Sequence, residues 1–287
     1  MCISEINNIT VIGAGNMGHQ IATLCAIQGY NTICTDIDEN NLKKADDFVD
    51  RYLNGRVEKC KLSDKQAKES RNKIRFTPDL QASLKNSDFV IEAIVESVNI
   101  KIDVFSKLDK YAPKHAILST NSSAIVSSKL AEYTNRPEKV LNMHFFNPAL
   151  VMKLVEIVQG PHVANNTFQV TYELCKSLGK IPIHIKKEVK GFVLNRIIKA
   201  IQSEALWMLE MDVASFEDID KACVHGAGHP MGPFRLCDLT GIDLAYTLAM
   251  ETFKETGDPA DFPAPKLVEH FAKGEYGEKT GKGWYKY

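Results

Sequence analysis

Ile9-Thr-Val-Ile-Gly13-Ala-Gly15-Asn16-Met17-Gly18 is the stretch on which the reading of this chain turns. A short β-branched run stops at glycines, and a helical pattern follows with apolar residues at Ile21, Leu24, Cys25 and Ile27, ending at Gly29. Asn31-Thr-Ile-Cys-Thr-Asp36 then reads as a second strand with an acid at its end. Strand, glycine turn, helix and strand make the βαβ unit of a parallel sheet. In that context Gly13, Gly15 and Gly18 match G-x-G-x-x-G: the first permits the tight turn, the second admits a pyrophosphate to the backbone, and the third lets helix and strand pack closely. The helix end carrying Asn16 and Met17 offers unpaired N–H groups to phosphate. Asp36 suits the two hydroxyls of a ribose and repels a 2′-phosphate, so the expected cofactor is NAD rather than NADP.

Outward from this unit, Asp38–Asn72 is polar and rich in Lys, Asp and Glu, with Leu42, Ala45, Phe48, Val49, Tyr52 and Leu53 at helical spacing. It reads as a long exposed helix or a helical pair at the sheet edge. Further strands are expected at Lys73–Phe76, Asp88–Glu92, Ala116–Ser119, Val140–Phe145, Val155–Val158 and Ile181–Ile185. After Glu188 the pattern becomes helical, beginning with a long amphipathic segment, Gly191–Met211. The expected architecture is α/β: a doubly wound, Rossmann-type sheet domain over residues 1–187 and an all-helical domain over 188–287.

Composition narrows the function. The 287 residues carry 35 Lys and Arg against 36 Asp and Glu, a net charge of −1 that gives no general attraction to nucleic acid. The seven cysteines are scattered with no C-x-x-C pair, which suits neither a disulfide scaffold nor a zinc ribbon, and no metal site is expected. No apolar run approaches the ~18 residues of a membrane span. The start of the chain carries no export or transit pattern, so a cytoplasmic location is expected, with neither membrane nor nucleic acid as a partner.

Chemistry is signalled by Asn142-Met-His144-Phe-Phe-Asn147-Pro148 and, twelve residues beyond the histidine, by Glu156 inside Leu154-Val-Glu156-Ile-Val. A carboxylate in an apolar strand is costly unless paired, and an imidazole is a suitable partner whose tautomer the pairing would fix. Together with a dinucleotide site, the two suggest an acid–base pair for hydride transfer.

Five segments carry a family resemblance: His144-Phe-Phe-Asn147-Pro148, Met152-Lys-Leu-Val-Glu156, Gly191-Phe-Val-Leu-Asn195-Arg196, Gly226-Ala-Gly-His-Pro230-Met-Gly-Pro233 and Lys279-Thr-Gly-Lys-Gly-Trp-Tyr-Lys-Tyr. In matching order from about residue 8 to the end, the chain resembles the L-3-hydroxyacyl-CoA dehydrogenases, most of all the short 3-hydroxybutyryl-CoA dehydrogenases. The resemblance implies reversible oxidation of a (3S)-3-hydroxyacyl-CoA with NAD. His144 would take the hydroxyl proton and Glu156 would orient it. Ser123 and Asn195 would hydrogen-bond the substrate oxygen or thioester carbonyl. Glu96, Lys101, Ser123, Asn147 and Lys279 would lie near NAD, and Lys59 would meet the CoA phosphates. A homodimer through the helical domain is also implied.

The match is imperfect in three places. The serine loop reads Ser119-Thr-Asn-Ser-Ser123, and spacing from His144 selects Ser123, with Ser122 the alternative. Tyr52 stands where a CoA-facing serine is usual, so that contact is not carried over. His225 and His229 interrupt the glycine-rich segment and read as turn or interface residues. Two other functions remain open from sequence: a related β-hydroxyacid dehydrogenase acting on a free acid, and a catalytically silent, crystallin-like NAD-binding protein. Lys59 and the charged helix favour a CoA ester over a free acid.

Overall fold

A computed structural model describes residues 2–287. Contacts divide the chain into Met1–Phe192 and Val193–Tyr287. The first unit runs β1 (Asn8–Ile12), α1 (Asn16–Ile27), β2 (Asn31–Thr35), α2 (Glu39–Glu58), α3 (Asp64–Asn72), β3 (Ile74–Thr77), α4 (Leu80–Leu84), β4 (Phe89–Glu92), α5 (Val98–Tyr111), β5 (Ile117–Thr120), α6 (Ser128–Ala131), β6 (Val140–Phe145), β7 (Leu154–Val158), α7 (Asn165–Ser177) and β8 (Ile181–Ile185). The second runs α8 (Leu194–Glu210), α9 (Phe216–Lys221), α10 (Pro233–Thr240), α11 (Ile242–Thr256) and α12 (Pro265–Ala272). Among the described residues no helix is long and apolar enough to cross a membrane.

The eight strands form one sheet in the order β3-β2-β1-β4-β5-β6-β7-β8, and all neighbours are parallel except β6 and β7. Strand order reverses between β1 and β4, and this switch point is where an open α/β sheet leaves a crevice at its carboxyl edge. β4, β5 and β6 are buried along their whole length, as strands covered on both faces must be. One face packs Ile21, Cys25, Val49, Leu53 and Leu174, and the other packs Leu84, Phe105, Leu108 and Leu130. This is the doubly wound α/β architecture expected.

The charged excursion is a pair of helices. α2 ends at Glu58, and α3 opens on a capping box in which Ser63 and Gln66 each bond the other's backbone N–H. Arg71 of α3 reaches back to Asp46 and Asp50 of α2, 2.6 Å to each. Residues 188–192 pack with the sheet: Glu188 accepts from Ser127 Oγ and Ser128 N, and Phe192 is buried with Val158 and Ile185. The thiols of Cys25, Cys175 and Cys237 are pushed up to about 12 by burial, so they pack as neutral groups. In the second unit, Asp238 is 1% exposed and accepts from Trp284 N, Tyr285 N and Tyr287 Oη, tying the carboxyl-terminal tail to α10.

Asp109 and Arg136 join the end of α5 to the entry of β6. Arg136 Nε donates to Asp109 Oδ1 at 2.8 Å, and its other nitrogens donate to the carbonyls of Asp109, Ala112 and Pro113. Burial works to raise the Asp109 pKa, but hydrogen bonds from Asn135 and Arg136 outweigh it and hold the carboxyl below its ordinary value. A lowered folded pKa means that the stabilisation is complete above the unfolded value of about 3.9 and fades as pH falls through the folded one. Asp109→Asn is therefore expected to cost about 2–4 kcal/mol near neutrality. Its melting temperature, followed by circular dichroism, should fall less between about pH 5 and pH 3 than that of the parent.

Candidate active site

The glycines after β1 do three different things. Gly13 lies at φ +99°, and a Cβ there would come 2.6 Å from the Ala93 carbonyl oxygen. A Cβ on Gly18 would sit 1.8 Å from the Gly13 oxygen, so helix and loop tolerate no side chain. A Cβ on Gly15 meets nothing within 4 Å. The chain itself does not demand that glycine, and the open space over it suits a phosphate. Gly15 is also the N-cap of α1 and supplies no side-chain cap, leaving the first-turn N–H groups to an anion. Asp36 is held beside the loop by Ala14 N at 2.7 Å and Asp38 N at 2.9 Å, one bond to each oxygen. A carboxylate has about four acceptor sites, so capacity remains for two ribose hydroxyls. These features fit NAD.

Across the crevice, the loops after β4 and β5 are tied by a buried charge network. Glu92, fully buried, accepts from Lys101 Nζ at 2.5 Å, from Ile94 N at 2.7 Å and from Thr120 Oγ1 at 2.6 Å. Lys101 is 1% exposed and also lies 3.4 Å from Glu96, whose carboxylate accepts from Ser122 Oγ and Ala124 N. Read without the family resemblance, Lys101 would be an ordinary exposed helix lysine; instead its ammonium is enclosed between two carboxylates. Ser122 is committed to Glu96 and to Ile125 N. The Ser123 hydroxyl is half-buried and has no hydrogen-bond partner among the described residues.

His144 and Glu156 are directly opposed in register on the antiparallel strands β6 and β7. His144 Nδ1 lies 2.9 Å from Glu156 Oε2, with the two residues 7% and 0% exposed. A carboxylate only accepts, so Nδ1 carries the hydrogen and Nε2 is left with its lone pair. Nε2 has no partner among the described residues, while the rings of Phe146 and Phe192 flank the imidazole at 4.5 and 5.8 Å. Asn121 Oδ1 accepts from Phe145 N at 2.8 Å, and Asn142 Nδ2 donates to the Ser122 and Ile125 carbonyls, so the serine loop is fastened to β6.

Other expected site residues are placed as follows. Asn147 is exposed after β6, and its Oδ1 accepts from Asn16 Nδ2 at 3.1 Å, joining that loop to the helix of Met17 and Gly18. Lys59 is exposed at the C-terminal end of α2, roughly 30 Å along the helix from Asp38. In the helical unit, Asn195 is half-buried in the first turn of α8, and Lys279 is exposed, 2.5 Å from Asp243. His225 is exposed in a π-helical turn after α9, and His229 is half-buried beyond it. Reading the sequence missed Glu92, Thr120, Asn121 and Asn142. Glu92 carried a usable signal, an acid closing an apolar strand, much as Glu156 stands inside one.

Residues 8–189 match the model of the 3-hydroxyacyl-CoA dehydrogenase NAD-binding domain, and residues 191–287 match that of the C-terminal domain. The chain belongs to the 3-hydroxyacyl-CoA dehydrogenase family. It is 37% identical to the 3-hydroxybutyryl-CoA dehydrogenase of Clostridioides difficile over 279 residues, 97% of this chain and 99% of that one. It is 35% identical to the human mitochondrial hydroxyacyl-coenzyme A dehydrogenase over 288 residues, 98% of this chain and 91% of that one. The crystal structure of (S)-3-hydroxybutyryl-CoA dehydrogenase from Ralstonia eutropha superposes with a TM-score of 0.91 at 35% identity, covering 99% of both chains. The protein is an NAD-dependent enzyme of this family.

The glycines yield a paired test. Gly15→Ala should melt within about 2 °C of the parent, since its methyl meets no atom. It should nonetheless weaken NADH binding, read by fluorescence, by about tenfold or more. Gly18→Ala should lower the melting temperature itself by about 4 °C or more, because its methyl has no space.

Proposed function

We propose that the protein reversibly oxidises (3S)-3-hydroxyacyl-CoA, with 3-hydroxybutyryl-CoA as the expected substrate, to 3-oxoacyl-CoA. The observation that carries this reading is the His144–Glu156 hydrogen bond, with Nε2 left free to take a proton. NAD, when bound, supplies the acceptor for the hydride leaving C3. As the C3 oxygen sheds its proton, His144 Nε2 receives it, and the imidazolium so formed is stabilised by Glu156. In the reducing direction the same nitrogen returns the proton. Ser123, with its uncommitted hydroxyl, and Asn195 are assigned to the substrate oxygens, where fixed donors offset developing charge. Lys59 is assigned to the CoA phosphates as a mobile point charge.

Glu96, Asn147 and Lys279 are assigned to the cofactor beside the glycine loop and Asp36, while the enclosed Lys101 acts there by holding Glu96. Ile197 and Trp207 on α8, Met211 just past its end, and Leu244 and Leu248 on α11 are 48–60% exposed, which supports a homodimer through the helical domain. Light scattering should then give twice the chain mass of 32.1 kDa, and the single-chain mass would reject the dimer. Seven unpaired cysteines suit a reducing compartment such as the cytoplasm.

With 3-hydroxybutyryl-CoA and NAD, His144→Ala and Glu156→Gln should each lower kcat by about 100-fold or more. NADH affinity, measured separately, should stay within about twofold, because the two side chains engage each other on β6 and β7, whereas the glycine loop follows β1. Near-parental turnover in either variant would remove the acid–base assignment. Faster turnover of free 3-hydroxybutyrate than of its CoA ester would overturn the substrate.

A further inference from the structure

Lys180 stands between α7 and β8 and is 8% exposed. Among the described residues its ammonium has no carboxylate partner. Instead Nζ donates to the Ala149 carbonyl at 2.5 Å and to the Met152 carbonyl at 2.7 Å. Both acceptors belong to the turn joining β6 to β7. A buried cation without a counter-ion is an unfavourable choice if stability alone matters, and burial accordingly lowers the Lys180 pKa. An ammonium can do one thing that an apolar side chain cannot: it satisfies two inward-facing carbonyls of the same turn together.

Ala149 and Leu150 pack that turn against the sheet's core, but few other hydrogen bonds fasten it. Val151 and Met152 are 67% and 40% exposed, and their N–H groups both return to the Pro148 carbonyl within the turn. Outside it, Asn147 accepts from Asn16, and Leu150 N makes a long 3.5 Å contact with Gln20 Oε1. Immediately after the turn, Lys153 O accepts from Ile181 N, the residue next to Lys180, and β7 begins. The lysine thus grips the segment that has His144 at its entry, Asn147 along it and Glu156 just beyond its exit.

We propose that Lys180 is a positioning residue: by clasping the β6–β7 turn it sets the facing of Glu156 on His144 and the reach of Asn147 to the dinucleotide helix. The inference rests on the acid–base reading above and extends it to a residue that touches neither partner. Lys180→Met, which keeps the stem and removes the donors, should lower kcat about tenfold, less than the 10²-fold that a misplacement of 1 Å can cost. The same variant should weaken NADH binding about fivefold by fluorescence titration, while the KM for 3-hydroxybutyryl-CoA stays within about twofold. A merely structural lysine gives another result: an earlier melt, with parental kcat and NADH affinity at a temperature where the variant is fully folded. That result overturns the proposal. Should Lys180→Met fail to fold, Lys180→Gln keeps a donor and carries the test, with intermediate losses on both readouts expected and parental values on both fatal. If the parent protein does not oxidise the acyl-CoA, the acid–base reading falls, and NADH affinity, measured without acyl substrate, still decides the role of Lys180.

Discussion

Glu156 has no solvent exposure, and breaking a buried ion pair or leaving a charge unanswered costs about 3–5 kcal/mol. The answering donor is Nδ1 of a histidine on the neighbouring strand, and much of the sheet is arranged so that the two meet. Only residues 146–153 join β6 to β7, and a parallel return needs a crossover of a dozen residues or more. The chain must therefore turn back, and β6–β7 becomes the one antiparallel pairing in an otherwise parallel sheet. In that pairing His144 lies opposite Glu156.

Apolar neighbours fix which face the pair occupies. Met143, Phe145, Val155 and Ile157 alternate with His144 and Glu156 and all enter the same large core cluster. Because side chains alternate with a period of two, a slip of one residue in β7 would send Glu156 into that cluster and expel Val155 and Ile157 from it. The facing of the pair is thus secured by hydrophobic burial, at about 25 cal/mol per Å² of apolar surface, as much as by its own hydrogen bond. The opposite face receives Phe192, whose ring lies 5.8 Å from the imidazole and whose residue is 1% exposed, helping to keep water from the pair.

Legibility in the sequence followed the range of the interaction. Gly13, Gly15, Gly18 and Asp36 could be read because one βαβ unit contains every part of their geometry. Glu156 could be read because its apolar surroundings are consecutive residues, and the need for a partner then led to His144. The α2–α3 break was also written locally, since Ser63 and Gln66 have capping-box spacing. Lys101 and Lys180 were opaque for the opposite reason. Each looks like a surface lysine in its own segment, and its burial depends on loops brought in by the sheet, from β4 and β5 for one and from the β6–β7 turn for the other.

The adjacent serines show the same distinction at the scale of one residue. Sequence spacing preferred Ser123 over Ser122 without a physical reason to separate two identical side chains. The Glu92–Lys101–Glu96 network provides one. Lys101 partly neutralises two carboxylates, so Glu96 can remain an acceptor at the crevice, where it takes the Ser122 hydroxyl as donor. Ser122 Oγ accepts in turn from Ile125 N, which spends that side chain on shaping the loop. Asn142 fixes the Ser122 carbonyl from the other side. A hydroxyl with both functions engaged cannot follow charge as it develops on a substrate oxygen, whereas an uncommitted one on the rigid loop beside it can. One serine therefore builds the platform, and under the proposed function its neighbour is the one that meets the substrate.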